Sequence, residues 1–117
     1  MKVIYTKVHG YLDYVLGFIL LLVPSLLQLD SNSLESLIFY ILSILTLFYS
    51  ILTDYELGVY KVLPMRMHLI ADLLAGVFLL TSPWIFGFYH TIYLPHVILG
   101  LIEIGIAILT KSEVQYA

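Results

Sequence analysis

The stretch Met67 to Phe88, MHLIADLLAGVFLLTSPWIFGF, decides the fold, because an earlier part of the chain repeats its layout. His68, Asp72, Gly76 and Pro83 recur as His9, Asp13, Gly17 and Pro24, with the same steps of four, four and seven residues. Matched positions of types that an apolar segment usually avoids identify an internal duplication. The expected organisation is a single membrane domain over residues 1–117, made of a first two-helix repeat (1–58) and a second (59–117).

The composition agrees with a membrane setting. Of 117 residues, 62% are hydrophobic and only 11% charged, against roughly 25% charged in an average soluble domain. So small a water-soluble chain has too much surface to hide that much apolar area. The formal net charge of -3 offers no basic patch for phosphates and speaks against a nucleic-acid partner. Cysteine is absent, which removes disulfides and thiolate chemistry. Lys2 and Lys7 before an apolar run resemble the start of a signal peptide, but no small-residue cleavage site follows, and the pattern returns at Met67 to Phe88. The first segment is therefore expected to belong to the mature fold.

Hydropathy predicts four spans, Val8 to Leu27, Leu34 to Thr53, Met65 to Phe88 and Ile92 to Thr110, each near the ~20 residues that cross the hydrocarbon. Gln28 to Ser33 carries helix-capping side chains, and Pro64 stands at a helix start. Lys2, Lys7, Lys61, Arg66 and Lys111 all fall on one side of the predicted membrane. Enrichment of such residues in cytoplasmic loops puts both termini inside. Two spans per repeat make the hairpins parallel, related by a pseudo-two-fold axis along the membrane normal. The fold class is thus all-α, a polytopic four-helix bundle.

The second helices match through a stripe rather than through identities. Ser43, Thr46, Ser50 and Thr53 lie on one helical face, and Gly100, Glu103, Ala107 and Thr110 share the same spacing. Small and hydroxylated stripes in lipid mark helix-packing faces, so both are expected to face the interior.

His9 and Asp13, like His68 and Asp72, stack one turn apart on a helix. Counting depth along the helices places both pairs, Glu103 and Thr46 in one polar layer. Ionisable groups at such a depth are costly and point to a site. The layer His9, Asp13, His68, Asp72 and Glu103 is the candidate polar or cation site. It could relay protons, bind a divalent metal or hold a small polar ligand. It could equally be structural, fixing helix register by hydrogen bonds. Glu103, nearest mid-span, is the sharpest anomaly.

His90 and His96 lie among Trp84, Tyr89 and Tyr93, and an interfacial aromatic belt explains them better than a haem, which has no counterpart ligands in the first repeat. Pro24 and Pro83 come late in their helices and are expected to end or bend them. No nucleophile elbow, phosphate loop or metalloprotease pair is present. An enzyme is the least favoured class, and no catalytic residue is assigned.

Gly76, then Ser82, Pro83 and Trp84 followed by Ile85, Phe86, Gly87 and Phe88, resemble the SPW-repeat family of bacterial and archaeal membrane proteins. The first repeat departs from the motif, with Val23, Pro24 and Ser25 where Ser-Pro-Trp would stand. The resemblance implies two tandem transmembrane hairpins in a bacterial or archaeal plasma membrane. It implies no activity. Two readings stay open: a small membrane protein whose polar layer binds a cation or proton, and an accessory subunit. The second would pack against itself or a larger membrane complex through faces such as Ala71 and Ala75.

Overall fold

A computed structural model describes residues 1–116. Four helices follow in order: α1 (Thr6–Leu26), α2 (Leu34–Leu52), α3 (Met65–Ile85) and α4 (Leu94–Leu109). Among the described residues there is no strand beyond two isolated bridges. The first three helices are long and apolar enough to cross a membrane. Helix α4 has 16 residues, about 24 Å at 1.5 Å per residue. It begins later than the Ile92 expected, because Pro95 sits in its first turn and the chain before it is still completing the turn from α3.

Helices α1 and α2 pack as one hairpin and α3 and α4 as another, with α2 and α3 meeting more loosely. The interior is polar and the exterior apolar: among the described residues, 14 polar or charged residues are buried against 12 hydrophobic ones. Large side chains such as Phe18, Ile44, Phe48 and Leu74 point outward. That inversion suits a hydrocarbon solvent. Both predicted stripes are buried along their whole length, from Ser43 to Thr53 and from Gly100 to Thr110. An apolar core of Leu16, Leu20, Phe39, Leu42 and Leu79 fills one part of the bundle, and a smaller cluster of Tyr55, Met65 and Leu69 lies apart from it.

The helix ends repeat as the helix starts do. Pro24 and Pro83 both lie inside the last turns of their helices. Four residues beyond each, Gln28 (φ 56°) and Gly87 (φ 76°) take the left-handed conformation that terminates a helix. The segments before α1 and α3 also match. Val3 and Ile4 N–H donate to Leu109 O while Lys111 N–H donates to Ile4 O; Val62 and Leu63 N–H donate to Leu52 O while Asp54 N–H donates to Leu63 O. The start of α1 is thereby tied to the end of α4, and the start of α3 to the end of α2. All five Lys and Arg residues gather at this end of the bundle, where Thr6 also donates to Glu56 and Tyr116 to Asp54.

Candidate functional site

The helical spacing of four places each histidine above its own aspartate, but the closest bonds run between α1 and α3. His9 Nε2 lies 2.8 Å from Asp72 Oδ2 and 3.0 Å from Asp13 Oδ2. His68 Nε2 lies 2.5 Å from Asp13 Oδ2 and 3.1 Å from Asp72 Oδ2. The four atoms form a closed ring of alternating nitrogen and oxygen, all within 4.8 Å of one another. The two imidazoles meet edge to face, with centroids 5.2 Å apart. All four residues are buried, none exposed by more than 2%.

The outer nitrogens fix the tautomer. Thr110 Oγ1 donates to Ile106 O at 2.6 Å and stands 2.7 Å from His9 Nδ1. Its single hydrogen is committed to the carbonyl, so Nδ1 must be the donor. Thr53 repeats the arrangement, donating to Tyr49 O at 2.6 Å and accepting from His68 Nδ1 at 2.6 Å. Both rings therefore carry a hydrogen on Nδ1. Each Nε2 then faces two carboxylate oxygens with either a second hydrogen or a lone pair. A lone pair there would have no donor opposite it. Protons shared between the nitrogens and the carboxylates, or a metal ion, would satisfy these atoms.

Neutral imidazole, bound through one nitrogen and oriented through the other, is the usual form of a histidine metal ligand. Two imidazole nitrogens and two carboxylate oxygens are donors that Zn2+ accepts. The residues fit such an ion by donor set, one atom from each lying within 4.8 Å of the others. Tyr49 donates its hydroxyl to Asp72 Oδ1, a contact that sequence reasoning missed. Tyr49 lies outside the small-residue stripe, and Ile106 holds the matching place on α4. The signal for Thr53 and Thr110 was in the sequence, as the last members of the two stripes; read as packing residues, they are also the partners of the histidines.

Glu103 and Thr46 are buried as expected but do not join the ring. Glu103 Oε2 and Thr46 Oγ1 have no hydrogen-bond partner. Glu103 shares its helix face with Thr110 but lies seven residues, about 10 Å, farther from the basic end, and the ring meets α4 at Thr110 instead. His90 is exposed, as an interfacial belt requires. His96 is not part of that belt: it is fully buried against Phe39 (4.3 Å) and Phe88 (4.9 Å) and donates Nε2–H to Glu35 O at 3.1 Å. The correction arises because His96 lies two residues inside α4, on the face that carries Gly100 and Glu103. In the repeat motif, Ser82 is buried and donates to Leu79 O, Pro83 is buried, and Trp84 lies half-exposed against Tyr89 and Tyr93.

Over the basic end of the bundle, the 53–64 connection brings Tyr55 onto His68, with centroids 5.5 Å apart. Tyr55 is fully buried and its hydroxyl is unpartnered. Burial holds this phenol above the ordinary tyrosine range.

Three apolar spanning helices, a shorter fourth and a polar interior closed around a histidine–aspartate ring define a helical membrane protein. The model of the SPW repeat domain matches residues 7–110, and the chain belongs to that family. No curated protein and no solved structure matches it.

Proposed function

We propose that this is a non-enzymatic membrane protein whose ring of His9, Asp13, His68 and Asp72 holds either one divalent cation or two protons. The observation that carries the reading is the pair of threonines: Thr53 and Thr110 each accept an Nδ1 hydrogen and leave both Nε2 atoms facing carboxylates. Two imidazolium and two carboxylate groups sum to zero charge. So do two neutral imidazoles, two carboxylates and one divalent cation. The two states are interchangeable without leaving a net charge in a medium where uncompensated charge is expensive. Imidazole and carboxylate ligands suit Zn2+ and its neighbours among the divalent transition metals.

The same ring supports a second reading. It joins α1 to α3, which otherwise approach little, and in its protonated form it would act as a latch between the hairpins. The repeated hydrogen bonds at the ring and at the helix ends support both the division into repeats 1–58 and 59–117 and an axis along the membrane normal. The gathering of Lys and Arg at one end supports placing that end, with both termini, on the cytoplasmic side.

The test uses the full chain in detergent, freed of metal with a chelator and titrated with Zn2+ in a weakly buffered solution. The cation reading expects one ion per chain, about two protons released per ion, and at least a hundredfold loss of affinity in Asp13→Asn or Asp72→Asn. Absence of stoichiometric binding, with both variants losing assembly, leaves the latch as the function of the ring. Retained Zn2+ affinity in both variants removes the ring as a cation site.

A further inference from the structure

A cavity of about 410 Å³ lies between α3 and α4 at the basic end, with no residue of the histidine–aspartate ring in its lining. Lys2, Arg66 and Ser112 line its head, and Ile70, Leu73 and Ile108 line its walls. Arg66, Ile70 and Leu73 follow at steps of four and three, so they share one face of α3. That face descends roughly 10 Å from the charged head into the apolar zone. Lys2 is brought to the same head because Val3 and Ile4 are bonded to the last carbonyl of α4. The two cations stand 64 positions apart in the sequence, and the backbone bridge carries Lys2 to the end of α4, beside Arg66 on α3.

Their partners are missing. Lys61 donates to Tyr55 O and lies over the Tyr116 ring, and Lys111 lies over the Tyr5 ring. Neither Lys2 nor Arg66 has an acid within ion-pair distance among the described residues; all four ion pairs there belong to the ring. Of the acids of this end, Asp54 is engaged with Tyr116 and Glu56 with Thr6, while Glu113, beside Ser112, is exposed and within ion-pair distance of neither cation. Below the head, Ile70, Leu73 and Ile108 are exposed in the isolated chain. They form an apolar furrow continuous with a positive head. An occupant must therefore carry a negative group and a hydrocarbon tail joined end to end.

We infer that this furrow binds one anionic phospholipid, with its phosphate between Lys2 and Arg66 and one acyl chain along Ile70, Leu73 and Ile108. Basic pockets between membrane helices recognise acidic headgroups in this way. The guanidinium adds a fork matched to two phosphate oxygens.

Native mass spectrometry of the full chain, released from detergent with equal amounts of phosphatidylglycerol and phosphatidylcholine, tests the site. One phosphatidylglycerol per chain is expected to survive and phosphatidylcholine to be lost. The double variant Lys2→Gln, Arg66→Gln should bind phosphatidylglycerol about thirtyfold more weakly, each basic side chain near the surface contributing roughly fivefold. Lys7→Gln, at the same end but outside the furrow, should leave binding unchanged. Leu73→Trp keeps both cations and fills the wall, and it should also displace the lipid. Equal retention of the two lipids, full competition by inorganic phosphate, or an equal loss in Lys7→Gln would each overturn the inference. So would unchanged retention in Leu73→Trp.

Discussion

Where α1 crosses α2, the Ser43 hydroxyl donates to Gly17 O at 2.7 Å. Where α3 crosses α4, the matching positions are Gly76 and Gly100, and the backbones themselves meet. A Cβ added at Gly100 would stand 2.7 Å from Leu80 N and 2.8 Å from Gly76 O, whereas one added at Gly17 meets only the Leu47 side chain. The two hairpins solve one crossing differently: the first is held by a side-chain hydrogen bond, the second by close approach of small residues. At the ring this asymmetry disappears. His9 and His68 each touch both aspartates and one threonine in the same way. The two hairpins thus present their histidines to the ring alike while their helix crossings differ.

The largest effect follows from the packing difference. Gly100→Leu forces a side chain against the backbone of α3, where no rotamer can relieve it, and should destabilise the protein by about 2–3 kcal/mol. Gly17→Ala meets a flexible leucine and should cost well under half of that. Denaturant titration in detergent micelles reads both. Equal losses would mean that the two crossings are packed alike and that the contrast between the hairpins is wrong.

The ring, by contrast, predicts equality. Thr53→Val and Thr110→Val each remove the acceptor for one Nδ1 hydrogen at nearly constant volume. Loss of such an orienting partner typically lowers metal affinity about 10–100-fold, and the two variants should agree within a small factor. A clear difference in Zn2+ affinity would show that the halves contribute unequally to the site. The proton count sets a further expectation: apparent Zn2+ affinity should fall as pH falls, because two protons compete for each ion bound. A pH-independent affinity would contradict the exchange of one cation for two protons.

Much of this was legible in the sequence, for a definite reason. Helical periodicity and the step of four between His and Asp are local, and they placed both pairs and both stripes on interior faces. The matched Pro24 and Pro83 marked the ends of two helices. What the sequence could not supply was pairing across helices. Nothing in the spacing of His9 and Asp13 says that Asp72 will lie closer to His9 Nε2 than Asp13 does, and nothing marks Thr110 as the partner of a residue 101 positions earlier. His96 was misplaced because aromatic neighbours in sequence suggested a belt, while its helical phase directs it inward.

Asp72 has one contact without a counterpart, the Tyr49 hydroxyl on Oδ1. Tyr49→Phe should weaken Zn2+ binding about tenfold, less than either threonine variant, because a carboxylate partner acts on one ligand only and leaves both histidine tautomers in place. An effect as large as that of Thr53→Val would make Tyr49 part of the site proper.

The smallest expected effect is at Glu103. Its height along α4 suggests membership of the polar layer, yet its Oε2 has no partner and none of the ring's hydrogen bonds reaches it. Two accounts of the site therefore separate at this residue. If the ring is closed at four residues, Glu103→Gln, which keeps the shape of the side chain, changes Zn2+ affinity by less than about threefold, as expected for groups that share no bond. If the carboxyl belongs to the charge balance of the site, the same variant shifts affinity by tenfold or more and alters the number of protons released per ion. The proton count discriminates best, since a packing disturbance weakens binding without changing stoichiometry. A Glu103→Gln protein that releases the same number of protons as the parent fixes the site at two histidines and two aspartates, one pair from each hairpin.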